Sequence, residues 1–195
     1  MTTTDEHRKL WEERYASGDP GRDTPSEFLR SQASLLHGRV LDVAAGAGRN
    51  ALFLARRGLQ VDAIDLALAG LQIAQAAARR EGLALHLLQA DLEVFPLPRA
   101  CYDAVINIRY LQRSLFEPLQ EALRPGGIVL FETFVIDPQA VAHPRNPAFL
   151  LQPGELRAAF SACDILVYEE GLVPSAAAPT AVARMVARRR SRGVD

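Results

Sequence analysis

The sequence predicts an α/β fold: a doubly wound, mostly parallel sheet that ends in an antiparallel hairpin, within a single domain. Three observations carry this. Between residues 39 and 135, short apolar runs alternate with helical patterns, leaving crossovers long enough for parallel pairing. A turn of small residues, 44–48, joins the first apolar run to a helix. Near the C-terminus two extended segments follow one another with no helix between them, which suits antiparallel pairing. The 195 residues fit one domain of ~100–200 residues, and a hydrophobic share of 49% is enough for one buried core.

The elements follow in order. Residues 5–17 place Leu10, Trp11, Arg14 and Tyr15 at helical spacing, and Gly18, Pro20 and Gly21 then break the chain. Residues 26–37 read as a second short helix with Ser26 as its N-cap. The first strand, 39–43, runs into the small-residue turn, and a helix over 50–57 is closed by Gly58. Strand 60–65 precedes an alanine-rich helix, 67–80, which Gly82 closes. Strands follow at 84–89 and 102–108, then a helix over 111–123. Pro125-Gly126-Gly127 turns the chain into a fifth strand, 128–135. A helix over 154–162 leads to the hairpin, 164–169 and 181–188, joined by the loop 171–180. Residues 1–37 read as an N-terminal helical lid segment and 38–195 as the α/β domain proper, one structural domain overall.

Composition narrows the function classes. A net charge of −1 gives no global attraction to nucleic acid or to an anionic membrane. The run Arg188-Arg189-Arg190 with Arg192 reads as a solvated tail, and Lys9 is the only lysine. Cys101 and Cys163 form neither a disulfide framework nor a metal-ligand spacing. The first residues lack a basic region followed by an apolar core, and no apolar run approaches the ~18 residues of a membrane span. The expectation is a cytoplasmic protein without a metal.

The chemistry lies at strand ends. In Leu41-Asp42-Val43-Ala44-Ala45-Gly46-Ala47-Gly48-Arg49-Asn50, a buried strand ends near an acid and turns through small residues into a helix. Gly46 and Gly48 permit positive φ and close approach of a ligand, and the helix N-terminus offers free N–H groups. Ala51 stands where a third glycine of a nicotinamide fingerprint belongs. Asp65 closes the second strand 23 residues after Asp42, near the ~20-residue spacing of a ribose-binding acid. It serves equally as a cap for the next helix. Leu66 offers an apolar face to a purine. Asp91, followed by Leu92, stands where an adenine amine can be bound or where a turn needs a solvated acid. Asn107 ends the fourth strand, on the side where a ligand's reacting end would lie.

These residues together resemble the class I S-adenosylmethionine-dependent methyltransferases over roughly residues 38–135. The resemblance implies a Rossmann-like fold and S-adenosylmethionine as cofactor. It implies a cofactor site lined by Asp42, Gly46, Gly48, Asp65, Asp91 and the Asn107 region, and Ala44, Arg49, Leu66 and Leu92 are expected beside them. Ala44 departs from the class, which usually has glycine there. Within the class, Trp11-Glu12-Glu13-Arg14-Tyr15, Gly154-Glu155-Leu156-Arg157 and Met185-Val186-Ala187-Arg188 are similar to the tellurite-resistance and thiopurine-type enzymes. The loop 171–180 lacks the His and Arg implicated in the tellurite group, so tellurite chemistry does not carry over.

Trp11 and Tyr15 either cap the cofactor or pack the N-terminal helix on the sheet. On the acceptor side, Arg109 can orient an anion, His143 is a candidate base, and Arg22 lies on a segment able to close over the site. The expected acceptor is a small molecule, with RNA and protein acceptors still open. Two rivals stand beside methyl transfer: a non-catalytic adenosylmethionine-binding regulatory module and a nicotinamide-dependent oxidoreductase.

Overall fold

The computed structural model describes residues 3–17, 24–140, 144, 146–173 and 179–191. His143 and Arg22, both singled out above, lie outside the described residues. The chain divides into two compact units, Met1–Pro96 and Leu97–Asp195.

The first unit holds α1 (Thr3–Ala16), α2 (Glu27–Gln32), β1 (Arg39–Val43), α3 (Arg49–Arg56), β2 (Gln60–Asp65), α4 (Leu68–Glu81) and β3 (His86–Gln89). Its strands pair in parallel, β1 with β2 from Arg39 opposite Gln60 and β2 with β3 from Asp62 opposite His86. Val40, Leu41 and Val43 are fully buried, as expected of a parallel strand covered on both faces. Helix α4 buries Gly70, Leu71, Ala74 and Ala78 along one stripe. Gly82 ends it in the left-handed conformation, its N–H donating to the carbonyls of Ala78 and Arg79. The helix expected over 26–37 is shorter. Ser26 caps it by accepting from the N–H of Leu29, but after Gln32 the chain tightens into a 3-10 turn, Ala33–Leu35.

The second unit holds β4 (Tyr102–Ile108), α5 (Phe116–Ala122), β5 (Leu123–Phe134), α6 (Glu155–Ala159), β6 (Cys163–Val173) and β7 (Thr180–Arg189). Here β4 pairs with β5 in parallel, while β7 is antiparallel to both β5 and β6. The expected hairpin is therefore present, and longer at both strands than its apolar pattern suggested. Phe116, Phe131 and Phe160 pack edge to face, their ring centroids 5.8–6.0 Å apart, and anchor α5 and α6 on β5.

Two expectations need correction. The helix expected over 111–123 begins only at Phe116, because Pro118 lacks an N–H and fits only a first helical turn. Pro125-Gly126-Gly127 lies inside β5 rather than before it. The partner strand advances from Tyr102 to Ala104 while β5 advances from Leu123 to Ile128, so the motif is an outward excursion from a continuing strand.

Candidate functional site

In the first unit the carboxyl ends of β1 and β2 converge on the turn before α3. Ala44 and Gly46 take positive φ (54° and 57°), as does Gly48 (78°), the left-handed cap from which α3 starts. Asp42 is buried, and its Oδ2 has no hydrogen-bond partner among the described residues. Burial pushes its carboxyl up to about 8. The Arg49 guanidinium lowers it, the Asp65 carboxylate raises it, and the N–H of Ala51 lowers it.

Asp65 is also buried, but its oxygens are engaged. Oδ2 accepts from the N–H of Gly46 at 2.7 Å and Oδ1 from that of Ala67 at 2.8 Å. Burial raises its carboxyl, three backbone N–H groups (Ala67, Gly46 and Leu66) lower it, and the Glu12 carboxylate raises it again. Asp65 thus fixes the glycine turn and caps the entry to α4 at once. The N–H of Ala90 donates to the Asp65 carbonyl at 3.0 Å, bringing the start of the Asp91 turn beside it. The Asp91 carboxylate accepts from the N–H of Glu93 at 2.9 Å, a local turn. Leu92 is buried and Leu66 half-buried.

Helix α1 reaches this turn. Glu12 accepts from the N–H groups of Leu68 and Ala69 at 2.6 and 2.9 Å, so a carboxylate covers the N-terminus of α4. Tyr15 lies against both Gly46 and Gly70: a Cβ on Gly46 would stand 2.2 Å from the tyrosine hydroxyl oxygen, and one on Gly70 would stand 3.0 Å from the ring. Trp11 stacks on Tyr15 with centroids 5.8 Å apart. Of this aromatic pair, Tyr15 is the member that rests on the glycine turn.

In the second unit the carboxyl end of β4 carries the other named residues. Asn107 is buried and donates from Nδ2 to the Tyr110 carbonyl at 2.7 Å, pinning the turn through Arg109. Arg109 adopts φ +62°, and its backbone N–H donates to the Glu132 carbonyl at 2.7 Å. Its side chain bonds the Glu132 carboxylate and lies 4.5 Å from the centre of the Phe134 ring.

Residues 40–127 match a family model described as a methyltransferase domain. That stretch contains the glycine turn, Asp42, Asp65, Asp91 and Asn107. Over that stretch the chain is similar to methyltransferase domains. It is 34% identical over 120 residues to a ubiquinone biosynthesis O-methyltransferase of Nitrosococcus oceani, a match that covers 58% of this chain and 51% of that protein. The chain spans about half the length of the curated relatives it matches. Among solved structures, TehB from Haemophilus influenzae has a TM-score of 0.76 at 18% identity, covering 92% of this chain and 67% of its own. The 1,6-didemethyltoxoflavin-N1-methyltransferase of Burkholderia thailandensis, solved with its substrate and S-adenosylhomocysteine, has a TM-score of 0.67 at 21% identity over 98% and 92% of the two chains. These two likenesses show the doubly wound α/β fold with its antiparallel end.

The structure uses some residues differently from the sequence reading. A Cβ at Gly48 would stand 2.6 Å from the Ala74 Cβ, so this glycine serves the packing of α4 as well as its own left-handed turn. Asn50 is a buried structural acceptor, its Oδ1 taking the N–H of Ser26 at 3.0 Å. Glu12, Gly70, Glu132 and Arg184 received no role from sequence. Glu12 was visible within the Trp11–Tyr15 patch, but only the fold brings it to the first amides of α4. No helix among the described residues is long and apolar enough to cross a membrane. They also contain no cluster of three or more His, Cys, Asp or Glu able to hold a metal.

Proposed function

We propose that this protein transfers a methyl group from S-adenosylmethionine to a small-molecule acceptor in the cytoplasm. The observation that carries the reading is the buried Asp42 oxygen without a partner among the described residues, beside a left-handed turn of small residues, inside the matched stretch 40–127. An unsatisfied buried oxygen costs about 1–3 kcal/mol unless a ligand or water meets it. The residues present fit the cofactor. Asp42 faces polar ligand groups, Gly46 admits close backbone approach, and Asp65, its carboxylate held by the N–H groups of Gly46 and Ala67, presents remaining lone pairs to ribose hydroxyls. Ala44, Gly48, Arg49, Leu66, Asp91 and Leu92 complete the proposed lining in the first unit.

When bound, the cofactor supplies a methyl group on a sulfonium, which needs no further activation. The chain's contribution is positioning: holding an acceptor lone pair in line at about 3–3.5 Å and excluding water. Arg109 is fixed by Glu132 and orients the acceptor; a guanidinium stays protonated and does not serve as a base. Residues 1–37 act as a lid in this proposal, with Tyr15 against the glycine turn.

Incubation with methyl-labelled S-adenosylmethionine and a panel of thiol, amine, phenol and carboxylic acid acceptors, followed by assay of adenosylhomocysteine, tests it. Acceptor-dependent adenosylhomocysteine is the expected outcome. A chain that binds neither adenosylmethionine nor adenosylhomocysteine defeats the reading, and one that binds both but turns over no acceptor points to a regulatory module.

A further inference from the structure

Helix α1 places a second carboxylate beside Asp65. Asp65 Oδ1 accepts from the N–H of Ala67 at 2.8 Å, and Glu12 accepts from the next two, Leu68 at 2.6 Å and Ala69 at 2.9 Å. Three successive amides at the start of α4, a helix of 14 residues, are therefore already donating to the chain's own acids. Glu12 and Tyr15 are three residues apart and share a face of α1, and Tyr15 lies against Gly46 and Gly70. At the other end of α1, the Thr4 hydroxyl donates to the Glu93 carboxylate at 3.1 Å, in the turn after β3. The helix thus passes the carboxyl ends of β1, β2 and β3, where open α/β sheets take their ligands. All of these residues belong to the first unit.

Asp42 marks the same place as ligand-bearing on independent grounds. It is 1% exposed, its Oδ2 has no partner among the described residues, and its carboxyl feels that of Asp65. The Arg49 guanidinium answers Asp42, whereas the charged side chain acting on Asp65 is an acid, Glu12. A phosphate is drawn to a helix start by free N–H groups and the positive end of the dipole. Here those amides are taken and carboxylates already meet the dipole, so an incoming phosphate meets like charge where it needs donors. A hydroxyl finds the reverse, because a carboxylate with remaining lone pairs accepts its hydrogen bond.

We propose that Glu12 determines ligand specificity: clamped on the first amides of α4 beside Asp65, it makes the ribose side of the adenosyl site accept a free diol and refuse a phosphorylated one. This deepens the reading of that turn as an adenosyl site and rests on it. The arrangement separates unphosphorylated adenosyl ligands from nucleotides that carry a 2′-phosphate, a group of about −1.5 to −2 charge at neutral pH. A tie that only held α1 in place would, when cut, weaken both kinds of ligand alike. A charge barrier changes the phosphorylated one alone.

The test compares adenosine with adenosine 2′-phosphate by calorimetry in the unsubstituted chain, in Glu12→Gln and in Glu12→Ala, with S-adenosylhomocysteine titrated into each. Adenosine is expected to bind the unsubstituted chain more tightly than its 2′-phosphate by about tenfold or more. In both variants that ratio is expected to shrink by about fivefold or more, the size of one charge pair about 4 Å apart in water. Equal binding of the two probes by the unsubstituted chain, or a ratio that stays within about twofold of its value in either variant, overturns the proposal and leaves Glu12 a helix tie. Loss of all three ligands from both variants does the same. When S-adenosylhomocysteine still binds the unsubstituted chain, these outcomes remove the role of Glu12 alone. Discrimination that depends on Glu12, in a chain that never binds S-adenosylhomocysteine, upholds that role and removes the methyltransferase reading instead. A chain that binds none of the three ligands removes both.

Discussion

Replacing Gly48 with alanine separates packing from ligand approach as the reason for a glycine there. Gly48 has φ +78°, and a Cβ would stand 2.6 Å from the Cβ of Ala74, a fully buried residue of α4. A left-handed backbone costs an L-residue about 1–2 kcal/mol, and overfilling a packed core costs about 1–3 kcal/mol. Alanine's lower unfolded-state entropy offsets about 0.4–1 kcal/mol of this. The net loss is then about 1–4 kcal/mol, or roughly 5–10 °C in Tm for its middle value in a chain of this size. Gly82→Ala is the control, because Gly82 also has positive φ (66°) but no atom within 4 Å of its would-be Cβ. Only the conformational cost applies at Gly82, about 1 kcal/mol. Urea unfolding of both variants, followed by circular dichroism without ligand, measures the difference. Gly48→Ala should lose about 1–3 kcal/mol more than Gly82→Ala, the size of the overpacking cost. Equal losses would refute the packing account and return Gly48 to a purely ligand-facing role.

Three further outcomes are expected. Asp42 is held protonated by burial, with its folded pKa raised to about 8, so it contributes stability that is complete below the unfolded value and lost as pH rises. Between about pH 4 and pH 8 this loss reaches at most about 1.4 kcal/mol per pH unit; Asp42→Asn should remove that slope, and an unchanged slope in the variant would contradict the assignment. Glu12→Ala should speed hydrogen exchange across Thr3–Ala16, because its carboxylate holds α1 to the amides of Leu68 and Ala69, and unaltered exchange would show that other contacts suffice. Ala44→Gly should raise stability by about 0.5–1 kcal/mol by relieving its φ of +54°, and a lower Tm would show that the methyl's packing outweighs the strain.

Much of the fold was legible because each β–α crossover leaves a period change and a breaker in the sequence. Gly82 ends α4 and Ser26 begins α2 for reasons of backbone conformation and capping that are local. Pro118 and the excursion at Pro125-Gly126-Gly127 were harder: a helix pattern does not reveal where a proline must sit within it, and an irregular strand looks like a turn until its partner is known. The candidate site divides in the same way. Asp42, Gly46 and Asp65 belong to one strand–turn–helix pattern and its neighbouring strand, so spacing finds them. Glu132 and Arg184 are 52 residues apart, and their pairing depends on an antiparallel register that no short motif encodes. Glu12 reaches the amide of Leu68 across 56 residues, for the same reason.

The most direct measurement is calorimetric titration of S-adenosylhomocysteine into the unsubstituted chain and into Asp65→Ala and Asp65→Asn. Saturable one-to-one binding is predicted, weakened at least tenfold (about 1.4 kcal/mol) in Asp65→Ala and less in Asp65→Asn, which keeps one acceptor oxygen. A heat trace with no binding, or equal affinity in all three proteins, would contradict the claim that the Asp42–Asp65 turn holds an adenosyl ligand.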